Sequence, residues 1–181
     1  MLHGSLDRAV HRAIVLDATQ CAALREHCRA HLQMEPDSVD GAPDSQVQLT
    51  RADLQRLLGS ETVRELWRLP AAARLVEGGL WSGAVDCFLR RYTAETRPFI
   101  PFHCDGAAAT VNVALTSSAG AGMGGELLCL HSGGVMVERR GEGEATVHPA
   151  GLLHGVTRLE VGARERFTMI LFFEPPLLPP T

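Results

Sequence analysis

Pro101-Phe102-His103-Cys104-Asp105 is the stretch of sequence from which both the fold and the chemistry can be approached. His103 and Asp105 are two residues apart, so in an extended segment their side chains point to the same face. Their Cα atoms then lie about 7 Å apart, at a rise of about 3.3–3.4 Å per residue. An imidazole nitrogen and a carboxylate oxygen at this separation can bind one ion. The segment therefore predicts a strand that carries two metal ligands.

A third ligand is expected downstream, where the sequence offers two histidines. His154 lies in the segment Leu-Leu-His-Gly-Val, and His148 lies six residues before it. Two histidines and one carboxylate that leave further positions open are the ligand set of non-haem Fe(II) oxygenases. An apolar strand with Arg166 at its head follows. The two histidines and the carboxylate predict a metal site.

The region around these residues is rich in short strands. Glycines, β-branched residues and short apolar runs alternate with turn signals, which is typical of a sandwich or a double-sheet jelly roll. The eight candidate strands are Ala84–Tyr92, Phe99–Asp105, Thr110–Leu115, Glu126–Leu130, Val135–Glu138, Glu144–Val147, Gly155–Leu159 and Arg166–Phe173.

The N-terminal third reads as mostly helical. A short apolar run at 12–16 has the composition of a strand, and Asp17 is a helix N-cap for a helix that ends near Leu32. Residues 35–47 contain two prolines, a glycine and several polar residues, which predicts a loop. Thr50 begins a segment that resembles a capping box and predicts a second helix.

The length of 181 residues predicts one domain. We expect a helical N-terminal part at 12–77 and a jelly-roll core at 78–174 that contains the metal site. The expected fold class is mostly β with flanking helices, an α+β arrangement built on a double-stranded β-helix.

Composition and charge limit the cellular compartment and the classes of binding partner to be expected. An apolar content of 45% and a charged content of 21% are ordinary for a soluble globular protein. A net charge of −4 predicts neither a nucleic-acid partner nor a membrane surface. The five cysteines are odd in number and form no C-x-x-C pair, which favours a reducing compartment. We therefore expect a soluble intracellular protein, located in the cytoplasm.

Six elements in this order resemble the Fe(II)/2-oxoglutarate-dependent dioxygenase superfamily, and within it the prolyl 4-hydroxylase-like branch. The resemblance covers about residues 84–173. The elements are Arg91-Tyr92, His103-x-Asp105, Thr110-Val-Asn112-Val-Ala-Leu, Gly124-Gly-Glu-Leu, His148-Pro-Ala-Gly-Leu-Leu-His154-Gly-Val and Arg166-Phe-Thr168.

The resemblance implies the roles of three metal ligands. The iron ligands of the family match His103, Asp105 and His154, and the family's His-Gly-Val pattern favours His154 over His148. The resemblance thereby makes these three residues the catalytic centre, with His148 as a packed neighbour or a hydrogen-bonding support of a ligand.

The resemblance also implies a site for 2-oxoglutarate. The family binds the remote carboxylate of this cosubstrate with an Arg-x-Ser/Thr element, which matches Arg166 and Thr168. A planar guanidinium suits this task because it can bind a carboxylate through two parallel hydrogen bonds. Arg164 shares strand parity with Arg166 and remains an alternative. Tyr92 and Asn112 are further candidates for contact with 2-oxoglutarate.

The implied activity is hydroxylation of a C–H bond in a peptide, protein or amino-acid-type substrate, or another small molecule. The implied cofactors are Fe(II), 2-oxoglutarate and O2, with ascorbate as an accessory reductant, and the coproducts are succinate and CO2. Two alternatives stay open. One is a non-catalytic jelly-roll sensor or interaction module that keeps the metal site, and the other is a zinc or cupin-like metalloenzyme, which leaves Arg166 and Thr168 unexplained.

Overall fold

In the computed structural model, residues 10–118, 124–162 and 165–174 are described. Four helices are present in this part of the chain: α1 (Ala18–His31), α2 (Arg51–Leu58), α3 (Ser60–Leu66) and α4 (Leu69–Ala72). The strands that precede the predicted jelly-roll core are β1 (His11–Ile14), β2 (Gln33–Pro36) and β3 (Pro43–Leu49). The strands of the core are β4 (Val85–Tyr92), β5 (Ile100–His103), β6 (Ala109–Ala114), β7 (Leu127–His131), β8 (Gly134–Glu138), β9 (Glu144–Pro149), β10 (His154–Val156) and β11 (Arg166–Phe173). All eight predicted core strands are confirmed in place.

The strands form two antiparallel sheets, which we call the major and the minor sheet. The major sheet has the strand order β1-β9-β6-β11-β4-β3-β2, and the minor sheet has the order β5-β10-β7-β8. Apart from the β2–β3 and β7–β8 hairpins, neighbouring strands in both sheets come from distant parts of the chain, as in a double-stranded β-helix. The predicted jelly roll with flanking helices is therefore confirmed.

The two faces of the major sheet differ in chemistry because side chains alternate along each strand. Along β11, every second residue from Phe167 to Phe173 belongs to the main hydrophobic core, together with buried residues of the helices. The intervening positions, from Arg166 and Thr168 to Phe172, lie on the opposite face. One face of the sheet thus packs against the helices, and the other faces the minor sheet.

The helices of the N-terminal part begin as the sequence predicts in two cases. The Asp17 side chain accepts a hydrogen bond from the Gln20 backbone N–H and caps α1. Thr50 and Asp53 form a reciprocal capping box at the start of α2. Helices α1, α2 and α3 contribute Leu24, Leu54 and Leu66 to the core, each fully buried. These helices are held to the sheet by apolar packing.

The prediction of a loop at 35–47 was wrong, because most of this segment belongs to the hairpin formed by β2 and β3. Its polar residues obscured a clear alternation in Gln46-Val47-Gln48-Leu49, of which Val47 and Leu49 are buried. The polar side chains of Asp44 and Ser45 are buried as well. Some buried positions of this hairpin hold charged side chains in ion pairs where apolar residues are usual. Such residues do not give the alternation of apolar and polar residues that identifies a strand in a sequence.

Among the described residues, no helix combines the length and the apolar character that crossing a bilayer requires.

Candidate active site

His103 and His154 face each other across the minor sheet. His103 ends β5 and His154 begins β10, and the two residues are direct partners in the antiparallel pairing. Their ring centroids lie 4.3 Å apart. Asp105 follows two residues after His103, and one ligand atom from each of the three residues lies within 4.8 Å of the others. The fold therefore brings the three predicted ligands into one cluster.

Backbone carbonyls fix the orientation of both imidazoles. The Nδ1 of His103 lies 2.9 Å from the Pro101 carbonyl oxygen, and the Nδ1 of His154 lies 3.0 Å from the Leu152 carbonyl oxygen. A carbonyl oxygen only accepts, so each Nδ1 carries the proton and donates it. In the neutral imidazole, each Nε2 then offers a lone pair to a metal ion, whereas a protonated His103 donates from Nε2 to Asp105 instead.

Asp105 connects the minor sheet to the major sheet. Its Oδ2 accepts a hydrogen bond of 2.6 Å from the Thr110 hydroxyl on β6. Burial opposes ionisation of Asp105, but hydrogen bonds from His103 and Thr110 outweigh it and lower the pKa of Asp105 to about 2. The carboxyl group is thus an anion at neutral pH, ready to bind a cation.

The pKa values of the histidines differ with their surroundings. Burial favours the neutral form of His103, but the hydrogen bonds to Asp105 and the Pro101 carbonyl exceed this effect and raise its pKa. Burial lowers the pKa of His154. His154 is therefore held in the neutral form that binds metals.

His148 lies beside this cluster without joining it. Its ring centroid is 4.5 Å from that of His154, and its Nε2 is 3.9 Å from Asp105 Oδ2. Burial lowers the pKa of His148 to about 4. Its imidazole is fully buried on the inner face of the major sheet, and within the described chain its Nε2 has no hydrogen-bond partner.

Arg166 and Thr168 form a candidate anion site on the inner face of the major sheet. Arg166 is 3% exposed and Thr168 is 0% exposed. In the described part of the chain, none of the three guanidinium nitrogens of Arg166 has a hydrogen-bond partner, and neither has the Thr168 hydroxyl. Buried polar groups are nearly always paired, so this group of donors requires a ligand. A carboxylate fits it in charge and geometry.

Tyr92 forms one wall of this anion site. It pairs directly with Arg166 in the register of β4 and β11, and its ring lies 5.2 Å from the centre of the Arg166 guanidinium. Tyr92 is 1% exposed and also contributes to the small cavity that reaches His103 and His154. Tyr92 therefore lies between Arg166 and the cavity beside the His103–Asp105–His154 cluster.

Gly125 makes room for the Arg166 side chain. Its φ is +74°, and a Cβ there would lie 2.7 Å from Arg166 Cδ. We expect Gly125→Ala to weaken binding of 2-oxoglutarate, the anion that the family resemblance implies, about tenfold while metal affinity stays unchanged, because the added methyl displaces the guanidinium. Isothermal titration calorimetry measures both affinities. Gly78→Ala is the matched control, since its φ is +96° but no atom lies within 4 Å of its Cβ position; equal losses in both variants would contradict the expectation.

Asn112 lies on the same inner face, on β6. Its side chain lines the cavity with His103 and His154. Its Oδ1 accepts a hydrogen bond of 2.7 Å from Arg140, which is fully buried. Sequence reasoning missed Arg140, because it follows a strand next to Arg139 in a segment that reads as exposed and charged.

Arg90 was also missed, although it shares strand parity with Tyr92. It lines the same cavity and donates hydrogen bonds of 2.7 Å to Asp44 and 2.5 Å to Asp37, on the β2–β3 hairpin. Arg97 donates to Asp40 on the same hairpin at 2.9 Å. These ion pairs hold the hairpin beside the metal cluster.

A groove of about 340 Å³ opens next to the metal cluster. Its volume falls within the range of small-molecule sites. It is lined by His103 and Asp105 on one side, by Phe88 and Phe172 on the major sheet, and by the hairpin at Ser38 and Val39.

Structural comparison places this arrangement among known folds. The chain is similar to a prolyl-4-hydroxylase from Pseudomonas putida, with 18% identity, a TM-score of 0.67, and coverage of 92% of this chain and 93% of the other. It is also similar to an oxidoreductase of the 2OG-Fe(II) oxygenase family from Burkholderia pseudomallei, with 16% identity, a TM-score of 0.64, and coverage of 92% and 85%. The chain has the fold of the 2OG-Fe(II) oxygenases.

A third similar structure is a prolyl hydroxylase from Trichoplax adhaerens in complex with a peptide fragment of a hypoxia-inducible factor. It has 11% identity, a TM-score of 0.67, and coverage of 93% of this chain and 84% of the other. No family model matches the chain, and no curated protein matches it. The resemblance to the prolyl-hydroxylase-like oxygenase fold, which the sequence motifs indicated, is thus confirmed for the fold.

Within this oxygenase fold, the structure brings together most of the residues that the sequence singled out. His103, Asp105 and His154 form the cluster, and Tyr92 and Asn112 line the adjoining cavity. Arg166 and Thr168 lie on the same inner face of the major sheet, with Arg166 beside Tyr92. The alternative anchor Arg164 lies outside the described residues.

Proposed function

We propose that this protein is an Fe(II)- and 2-oxoglutarate-dependent oxygenase. The observation that carries the proposal is the set of unpaired buried donors of Arg166 and Thr168, which accompanies a His-Asp-His cluster in an oxygenase fold. A metal hydrolase with the same ligands has no use for a buried cation that lacks an anion. A dianionic cosubstrate that binds a metal at the His-Asp-His cluster with one end and the Arg166 and Thr168 donors with the other would account for both features.

The residues fit both groups chemically. His103, His154 and Asp105 would hold Fe(II) through two neutral nitrogens and one oxygen, the donor set that this ion accepts. Arg166 and Thr168 would bind the remote carboxylate of 2-oxoglutarate, and Tyr92 would limit the position of its chain. When bound, iron with 2-oxoglutarate and O2 supplies the oxidising chemistry that hydroxylates a C–H bond and yields succinate and CO2.

The protein itself would orient the metal ligands and exclude water from the reacting centre. The carbonyl groups of Pro101 and Leu152 fix the histidine rings, and Thr110 fixes Asp105. The cavity wall formed by Ile100, Leu127 and Val156 is apolar and keeps water from the reacting centre.

The substrate proposed for this site is of peptide, protein or amino-acid type. Two features support it: the groove beside the ligands is open to solvent and presents Phe88 and Phe172 as apolar floor, and two of the similar structures are prolyl hydroxylases. A small-molecule substrate is the alternative that the same groove can hold.

Anaerobic titration of the purified protein with Fe(II) and 2-oxoglutarate tests the proposal. We expect a weak visible metal-to-ligand charge-transfer band that needs both additions, followed by slow succinate formation when O2 and ascorbate are admitted. Zn(II) in place of Fe(II) is the control and is expected to give neither signal. A band without succinate would favour a sensor module, and tight binding of zinc without any band would favour the metalloenzyme.

A further inference from the structure

Arg140 is a buried arginine beside Asn112, which lines the cavity that reaches His103 and His154. It follows β8, and its side chain enters the space between the sheets, where it is fully buried. Its Nη1 donates hydrogen bonds to the Asn112 carbonyl oxygen at 2.6 Å, to Asn112 Oδ1 at 2.7 Å and to the Thr146 hydroxyl at 3.3 Å. Within the described residues, its Nε and Nη2 have no partner.

No carboxylate among the described residues forms an ion pair with Arg140 or with Arg166. The other buried arginines of the inner region differ in this respect: Arg90 pairs with Asp37 and Asp44, and Arg97 pairs with Asp40. Burial, followed by the positive charge of Arg166, lowers the pKa of Arg140 to about 9. Two like charges in one dry cavity are costly unless an anion joins them.

Arg140 also determines which way the Asn112 side chain points. A guanidinium only donates hydrogen bonds, so the atom of Asn112 that faces it must be the oxygen. The amide NH2 of Asn112 then points away from Arg140. Asn112 lines the cavity that contains His103 and His154, so its NH2 is available to an acceptor there.

We propose that Arg140 is a second anchor for the remote carboxylate of the cosubstrate and makes the cavity selective for 2-oxo acids with a second carboxylate. The inference rests on the function proposed above. Two unpaired nitrogens of Arg140 and three of Arg166 offer more donors than one guanidinium can, and a carboxylate with about four lone-pair positions can accept from both. Asn112 holds Arg140 in place.

The test compares two ligands that differ only at the remote end. In 2-oxopentanoate, a methyl group replaces the remote carboxylate of 2-oxoglutarate, while the metal-binding end is the same. Affinities for both are measured by calorimetry on the Mn(II)-loaded protein, without turnover. We expect Arg140→Met to reduce the preference for 2-oxoglutarate about ten- to a hundredfold, as for loss of charged hydrogen bonds, and to change the affinity for 2-oxopentanoate little.

Two variants separate an anchor from a structural cross-link. Arg140→Lys keeps the positive charge but lacks the planar guanidinium that can donate two parallel hydrogen bonds. We expect it to retain part of the preference for 2-oxoglutarate that Arg140→Met loses. Arg91→Met removes an arginine on the opposite face of the major sheet and is expected to leave the preference unchanged. If Arg140→Met lowers the affinities for both ligands by the same factor, Arg140 only stabilises the surrounding structure and the inference is wrong.

Failure of the inference differs from failure of the proposed function. If the wild type binds 2-oxoglutarate and Arg166→Met abolishes the preference while Arg140→Met keeps it, only the second anchor is refuted. If the wild type binds Mn(II) but not 2-oxoglutarate, both are refuted. Should Arg140→Met not fold, the preference measured in Arg140→Lys decides, because an unchanged value there overturns the inference.

Discussion

His154→Ala is expected to lower the affinity for Mn(II) or Co(II) by more than about 100-fold, while His148→Ala lowers it by no more than a few-fold. Removing a group that merely supports a ligand costs about 10–100-fold in metal affinity, so removing a ligand should cost more. The two histidines are six residues apart and both buried, which makes them a matched pair.

The geometry behind this difference is the position of each Nε2. His154 belongs to the cluster whose ligand atoms all lie within 4.8 Å of one another, and His148 does not. His154 also pairs with His103 across the minor sheet, whereas His148 lies on the major sheet. Calorimetry on both variants, with circular dichroism to verify folding, measures the effect. The reverse order of affinities would make His148 the ligand.

Arg166→Met is expected to reduce the affinity for 2-oxoglutarate about 100-fold or more, with metal affinity unchanged. Truncating one partner of a buried charge pair costs about 2–5 kcal/mol, and each 1.4 kcal/mol is a factor of ten in affinity. Methionine keeps most of the volume of the arginine stem, so the cavity does not collapse. Calorimetry on the Mn(II)-loaded protein measures the loss.

Arg91→Met is the matched control for this variant. Arg91 is opposite Phe167 in the register of β4 and β11, on the other face of the major sheet, where it donates a hydrogen bond to Glu165. It should leave 2-oxoglutarate binding unchanged. Loss of binding in Arg164→Met, together with retention in Arg166→Met, would transfer the anchor to Arg164.

Strand periodicity explains why so much of the site could be predicted. His103 and Asp105, and likewise Arg166 and Thr168, are separated by two residues, and alternation alone places each pair on one face. The strands that carry them are rich in apolar and β-branched residues, which give a strong local signal. Local patterns therefore placed the paired side chains, and the family resemblance assigned the candidate roles of Arg166 and Thr168.

The remaining parts depend on contacts between distant segments. Arg140 reaches Asn112 over 28 residues, and Arg90 reaches Asp37 over 53 residues. Nothing near Arg140 in the sequence distinguishes a buried cation from an exposed one. The β2–β3 hairpin was missed for the same reason, since ion pairs to β4 replace part of the apolar pattern that identifies a strand.

Because the two faces of the major sheet differ in chemistry, an error in strand register would disturb both faces at once. A shift of β11 by one residue relative to β4 and β6 would exchange its two faces. Phe167 and Met169 would then fill the cosubstrate cavity, and Arg166 and Thr168 would be pressed against the helices. A misaligned chain would lose core packing and ligand binding together. Under the proposed function, binding of 2-oxoglutarate would therefore report on correct strand alignment in preparations of this protein, independently of overall secondary-structure content.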